Sequence, residues 1–427
     1  MRITTEMNER LTRVGAGTPM GEVFRRYWIP ALLSRDIAEP DSPPVRVRLL
    51  GEDLVAFRDS AGDVGILDAH CPHRRAPLFF GRNEECGLRC VYHGWKFDVH
   101  GNCVDAPSEP PESQFRFRVG TLSYPVHEAG GIVWTYMGPV DKMPEPPDYE
   151  WLRAPATHLG VSQSNEPCNF LQAIEGGIDT AHSSFAHNND LSNTSHLRAL
   201  DTHPRLDVDV HDHGFTYASL RRVGGGRIYL RTYQFAMPFM QFRGDLITWQ
   251  GEPADYPALH GHIWVPIDDV NTAIFNFAYS ADPAQPMDPV WFAHHEDELG
   301  RGPQHFIEGT HWLKRTPEND FLIDREVQRT RTFTGIEGIN TQDFAIQTGM
   351  GRITDRSREA LGSTDLAIST ARRLLLEATD DVAEGRAPRG SSPVDHRHVR
   401  AGDLLMRDDA DGADWREMSK DLRLARF

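Results

Sequence analysis

The chain has 427 residues, 39% hydrophobic and 25% charged, with a formal net charge of −17, enough for two domains with a core each. The acidic balance argues against a nucleic-acid partner and against an anionic membrane surface, since both would repel it. No run of about eighteen apolar residues occurs, and the opening lacks the apolar stretch of a signal peptide, so a cytoplasmic protein without membrane association is expected.

Residues up to about 25 predict a short helix and a turn marked by Gly15, Gly17, Pro19 and Gly21. From Val45 the texture changes to β-type runs, VRVRLL, LVAFRD and VGILDA, separated by Gly-Glu-Asp and Ser-Ala-Gly-Asp turns. That spacing predicts antiparallel hairpins. Cys71-Pro-His73 and Cys90-Val-Tyr-His93 follow, placed in loops of this small sheet domain where exposed His side chains could meet an electron donor or acceptor. Phe97 to Val104 reads as strand, His-Gly-Asn turn and strand, and the Pro-rich stretch from Gly138 to Asp148 as a linker.

Beyond the linker, residues 165–186 have helical spacing broken at Gly176-Gly177. FTYASLRR, RIYLRTYQFAM and GHIWVPIDDVNTAIFNFAYS read as strands, the last as a hairpin about Asp-Asp. Residues 281–335 read as long loops over an active site or poorly ordered chain. Thr364 and Asp365 cap a helix whose inner face is Ala367, Ala371, Leu374, Leu375, Ala378 and Val382. The Pro-, Arg- and Asp-rich tail from Gly385 is expected to wrap a neighbouring subunit.

Each half of the Cys71, His73, Cys90, His93 set supplies one Cys and one His. That suits a two-iron centre in which both Cys hold one iron and both His the other. A Cys2His2 zinc site, the competitor, usually pairs Cys with Cys in one short loop. Cys86, Cys103 and Cys168 are left over and read as buried small hydrophobes, with a Cys86 to Cys103 bridge left open. Downstream, Asp179-x-x-His182-x-x-x-x-His187 can bring two imidazoles to one point if the helix ends or bulges before His187. Two His and one carboxylate on one face of an iron leave positions open for O2 and substrate. Asp179 reads equally well as a helix cap. For the carboxylate the residues alone leave Asp324, Glu337, Asp343, Asp355 and Asp365 open. A carboxylate ligand would need a cation in its pocket; Arg205, Arg231 and Arg243 are the candidates, with Phe235, Met237, Phe239 and Met240 as candidate apolar lining.

Cys71-Pro-His73-Arg-Arg-Ala-Pro-Leu with Cys90-Val-Tyr-His93-Gly-Trp-Lys-Phe-Asp resembles the Rieske domain of aromatic ring-hydroxylating oxygenases. Gly17-Thr-Pro-Met-Gly21, Arg25-Arg-Tyr-Trp28, the segment Cys168 to Asp179 and Leu361-Gly-Ser-Thr-Asp365 are similar to the phthalate dioxygenase branch. The resemblance covers most of residues 5–380 and implies an α+β architecture. Residues 1–24 would pack on the catalytic domain, 25–150 would form an all-β Rieske [2Fe–2S] domain, and 151–427 would form a catalytic domain of antiparallel sheet and helix, of helix-grip, START-like type.

The same resemblance implies Cys71, His73, Cys90 and His93 as cluster ligands, His182 and His187 as ligands of a mononuclear Fe(II), and Asp179 as the carboxylate linking the two centres. Gly338-Ile-Asn-Thr-Gln-Asp343-Phe-Ala-Ile-Gln347 is similar to the family's carboxylate segment and makes Asp343 the third iron ligand, although Thr348 stands where relatives often have an acid. The implied function is a terminal oxygenase in aromatic catabolism that uses O2 to hydroxylate a phthalate-like or substituted benzoate. Its electrons would come from NAD(P)H through a reductase carrying FMN and a plant-type [2Fe–2S] centre. A homotrimer or stacked hexamer is implied, with electrons passing from one subunit's cluster to its neighbour's iron. The alternatives are a monooxygenase or O-demethylase of the same branch acting on a methoxylated aromatic acid, a Rieske electron carrier, which the long downstream domain disfavours, and a zinc-binding interaction protein.

Overall fold

The computed structural model describes residues 2–408 and 414–427, and the chain divides into two units, 24–146 and 1–23 with 147–427. In the smaller unit, turn residues recur every few positions and keep the strands short. These are β1 (Trp28–Leu33), β2 (Val45–Leu49), β3 (Glu52–Arg58), β4 (Val64–Asp68), β5 (Arg82–Asn83), β6 (Leu88–Arg89), β7 (Lys96–Phe97), β8 (Cys103–Asp105), β9 (Ser123–Tyr124), β10 (Val126–Ala129) and β11 (Ile132–Tyr136). They form antiparallel sheets in the orders β1-β11-β10, β2-β3-β4-β9 and β5-β6-β7-β8. Val55, Phe57, Leu67, Leu78, Leu88, Trp95 and Phe97 make a core that also takes in Cys71, Cys90 and Cys103. The two Cys/His pairs lie in the loops after β4 and after β6.

The larger unit opens with α1 (Thr5–Thr12) and α2 (Pro19–Phe24) and continues through α3 (Glu150–Arg153), β12 (Leu159–Glu166), α4 (Phe170–Ile178) and α5 (Leu197–Leu200). The meander β13 (Arg205–His211), β14 (Gly214–Arg222), β15 (Arg227–Ala236), β16 (Met240–Ile247), β17 (Pro253–Asp268) and β18 (Asn271–Ser280) follows. It ends with α6 (Pro289–Glu298), α7 (Arg325–Thr330), α8 (Ile339–Gly349), α9 (Leu366–Ala383), β19 (Gly402–Arg407) and α10 (Trp415–Met418). The sheet is antiparallel in the order β12-β18-β17-β16-β15-β14-β13, with β19 paired to β15. Helix α4 packs on β17 and β18 and against α8 and α9, and α1 packs on α9 and α4. Asn169 ties these together: its amide donates to the Thr12 carbonyl at 2.9 Å while its oxygen caps α4.

Several expectations change. Helix α4 runs unbroken through Gly176-Gly177, because the missing side chains make room for neighbours: a Cβ would lie 2.0 Å from Gln347 and 2.1 Å from Trp264 respectively. Residues 165 and 166 belong to β12, and residues 281–335 hold α6 and α7 as well as loops. The tail from Gly385 adds a strand to this chain's own sheet, β19 pairing with β15; its residues 409–413 lie outside the described ones. Among the described residues no helix is long and apolar enough to cross a membrane.

Candidate metal centres and substrate pocket

In the smaller unit Cys71 and Cys90 are buried, His93 is half-buried and His73 exposed. Each pair occupies a loop folded back on its own cysteine: Arg75 N–H donates to the Cys71 carbonyl at 2.9 Å and Gly94 N–H to the Cys90 carbonyl at 3.0 Å. Gly94 adopts φ +79° to close the second loop, where a Cβ would meet Pro107 at 2.7 Å. The two imidazoles meet edge to face with centroids 4.4 Å apart, and Trp95 stacks on His73 at 4.4 Å. Burial pushes the Cys71 thiol up to about 11, so it releases its proton only to something that rewards the thiolate, such as a metal. His93 Nδ1 is buried with no hydrogen-bond partner among the described residues. Two inward sulfurs and two outward imidazoles, one with an orphaned nitrogen, fit a two-iron, two-sulfide cluster with its histidine iron towards the surface. All five cysteines are free; Cys103 and Cys168 are buried as expected, but Cys86 is exposed, on a turn where its φ is +56°.

In the larger unit α4 stops at Asp179, whose Oδ1 accepts from Ala181 N–H at 2.7 Å. The chain then leaves the helical path and brings the Nε2 atoms of His182 and His187 to 3.0 Å from each other. Asp343, on α8, places Oδ1 3.5 Å and 3.3 Å from them. These three side chains could hold a metal ion, each offering one atom. The other acids considered are used elsewhere: Asp324 and Asp355 cap helical turns, Asp365 accepts from Gly362 N–H, and Glu337 pairs with Arg315.

Gln342, unremarked in the sequence, sets one of the rings. Its amide nitrogen donates to Asn189 Oδ1 at 2.7 Å and to the Ile336 carbonyl at 2.8 Å, so its Oε1 faces His187 Nδ1 at 2.9 Å. His187 therefore carries its proton on Nδ1 and turns a bare Nε2 to the centre. On His182 it is Nδ1 that faces Asp179 Oδ2, at 3.5 Å. Burial pushes His187 down to about 4. Burial works the same way on His182, but Asp179 and Asp343 outweigh it and raise that ring to about 10. The bare Nε2 of His187 and the charge of Asp343 thus converge on one point beside His182, whose Nε2 proton a divalent cation would displace on binding.

The pocket over this point is lined by Arg198, Arg231, Tyr233, Gln241, Arg243 and His262, among others. Arg231 reaches it, but its guanidinium is engaged by the Gly244 carbonyl at 2.8 Å and by Asp245 at 2.5 Å. Arg243 has a buried Nε with no partner among the described residues. Arg205 does not belong to the pocket: it is exposed at the start of the edge strand β13. Phe235, Met237, Phe239 and Met240 are core residues around the β15–β16 connection, Phe235 packing on Phe215 at 5.1 Å, and do not line the pocket. Arg198 gave no sequence signal, because α5 is a single turn in a polar stretch. Its guanidinium lies 3.4 Å over the Trp249 ring, and burial pushes it down to about 9. An adjoining cavity of about 250 Å³ shares Ser183, His187, Arg198 and Ile339 with this pocket.

Residues 27–125 match the family model described as Rieske [2Fe-2S] domain, and residues 135–423 the one described as LigXa C-terminal domain like. The chain is 40% identical to the phthalate 4,5-dioxygenase oxygenase subunit of Pseudomonas putida over 91% of this chain and 89% of that one. It is also 40% identical to the 3-chlorobenzoate-3,4-dioxygenase oxygenase subunit of Comamonas testosteroni, over 92% of each. The solved structure of dicamba monooxygenase bound to dicamba shares the fold, with a TM-score of 0.60 at 19% identity over 84% of this chain and 98% of that one.

Proposed function

Because the chain belongs to the Rieske non-haem iron oxygenases, whose oxygenase subunits carry a [2Fe–2S] cluster and a mononuclear iron, we propose that it is a cytoplasmic terminal oxygenase that hydroxylates an aromatic carboxylate. The observation that carries the substrate class is Arg243, a guanidinium with an unpartnered Nε in the pocket that His182, His187 and Asp343 also line. Relatives named for phthalate and chlorobenzoate support the same class.

In this reading Cys71 and Cys90 hold one iron of the cluster, His73 and His93 the other, and His182, His187 and Asp343 the mononuclear iron. When bound, that iron supplies reductive activation of O2 with electrons delivered through the cluster. The chain's own residues do the rest. Arg243 holds the substrate carboxylate through charge-assisted hydrogen bonds and so orients the ring. Trp264 and Ile274 form apolar wall and keep water from the reacting carbon. Gln342 keeps the His187 proton on Nδ1, and Asp179 holds His182 from behind while linking the two kinds of centre. We assign the electron supply to an NAD(P)H-dependent reductase with FMN and a plant-type [2Fe–2S] centre, and the working form to a homotrimer or a stacked hexamer.

The test is an anaerobic visible and EPR spectrum with iron and sulfide counts, then a screen of aromatic acids with a surrogate reductase. About three irons and two sulfides per chain, a reduced Rieske signal and acid-dependent O2 uptake are expected. Two irons, with no activity after Fe(II) is added back, would return the chain to the electron carriers.

A further inference from the structure

In the sheet, the register sets Ser162 of β12 opposite Asn276 of β18, and Asn276 opposite His262 of β17. Opposed side chains on one sheet face are close enough to bond directly. The row they form begins at Glu296, in the last turn of α6, whose buried carboxylate is ion-paired with Arg301 at 2.5 Å. A carboxylate only accepts, so the Ser162 hydroxyl that contacts it must donate. The hydroxyl oxygen is then the acceptor for Asn276 Nδ2 at 3.2 Å. With its nitrogen so directed, Asn276 turns Oδ1 to His262 Nδ1 at 2.7 Å. An amide oxygen also only accepts, so the proton of the His262 ring sits on Nδ1. Burial favours the neutral ring, and Nε2 is left as a bare lone pair. That nitrogen has no hydrogen-bond partner among the described residues, and His262 lines the same pocket as Arg243.

Resting on the reading of this pocket as the site of an aromatic carboxylate, we infer that His262 Nε2 is a fixed hydrogen-bond acceptor that selects aromatic acids bearing a hydroxyl group on the ring. Arg243 donates to the carboxylate and His262 accepts from the hydroxyl, so the two ends of the ligand are told apart by opposite hydrogen-bond sense. A substituent of similar size without a proton sets lone pair against lone pair and leaves His262 unpaired. Ser162, Asn276 and Glu296 touch no ligand in this scheme; they are positioning residues that hold the ring's proton on the far side.

The experiment is calorimetric binding of the ortho, meta and para hydroxybenzoates and the matching fluorobenzoates to the anaerobic, iron-loaded enzyme. At least one hydroxybenzoate should bind about ten-fold more tightly than its fluoro counterpart. That ratio should fall towards one in His262→Phe, and should also fall in Ser162→Ala, which releases the Asn276 amide to rotate. A merely structural role for Ser162 would weaken both ligands and leave the ratio alone, so an unchanged ratio there overturns the row as the device that places the proton. Equal binding within every pair, or a ratio that survives His262→Phe, overturns the acceptor role while the aromatic-acid reading stands. Failure of every acid to bind overturns that reading and this inference with it.

Discussion

At Asp179 one carboxylate oxygen accepts from Ala181 N–H at the end of α4 while the other faces His182 Nδ1 at 3.5 Å. Asparagine keeps an acceptor for the backbone and removes the charge. Asp179→Asn is therefore expected to retain the iron and sulfide content of both centres and to stop coupled turnover; assays of metal content beside substrate-dependent O2 uptake check this, and full activity would refute the linking role. The arginines separate in the same way. Arg243→Gln should weaken binding of an aromatic acid about 10- to 100-fold, the worth of a charge-assisted pair, with the Rieske spectrum unchanged. Arg205→Gln, on the exposed edge strand, should leave the same titration where it was.

Among the elements, α4 positions most of the site, and its tolerances are narrow. Glu175 is gripped by Arg356 at 2.9 Å and Arg372 at 2.6 Å, all three buried. Glu175→Gln leaves two buried guanidiniums short of a counter-charge and should cost about 3–5 kcal/mol in urea denaturation. Glu166, at the end of β12, is fully buried, and burial pushes its carboxyl up to about 8 from an unfolded value of 4.5. The folded chain then keeps a proton that the unfolded chain releases. Its contribution to stability is fully present below about pH 4.5 and is lost progressively as pH rises to about 8. Glu166→Gln should flatten that part of the profile, measured by denaturation at pH 5 and pH 8; equal losses in both proteins would show that Glu166 is not its source.

For the whole molecule, the proposed oligomer with electrons crossing between subunits makes a complementation experiment decisive. Cys71→Ser should lack a working cluster and His182→Ala a working mononuclear site, so each alone should be inactive. Co-expressed and purified as mixed oligomers, they should recover a measurable fraction of wild-type O2 uptake. No recovery in verified mixed oligomers would mean that electrons do not pass between chains.

Short-range chemistry was readable from the residues alone. The Cys/His pairs, the Asp179-x-x-His182 spacing, the hairpins from Val45 and the buried face of α9 are all properties of segments under about twenty residues, where turn chemistry and side-chain period act directly. Within helix α4, Gly176-Gly177 has the look of punctuation until Gln347 and Trp264 are seen filling the space. Resemblance of the Gly338–Gln347 segment pointed to Asp343, and the tertiary structure brings it beside His182 and His187 while the other four acids are used elsewhere; only the tertiary structure separated Arg243 from Arg205. It also brought Arg198, Gln342 and His262 into the site. The physical reason is common to all of these: each depends on which strand lies beside which, or on where α8 docks, and that is decided by burial of whole faces across more than a hundred residues of chain. The His262 row is the extreme case, since its chemistry follows from the register of β12, β18 and β17 together, and no single one of those segments contains it.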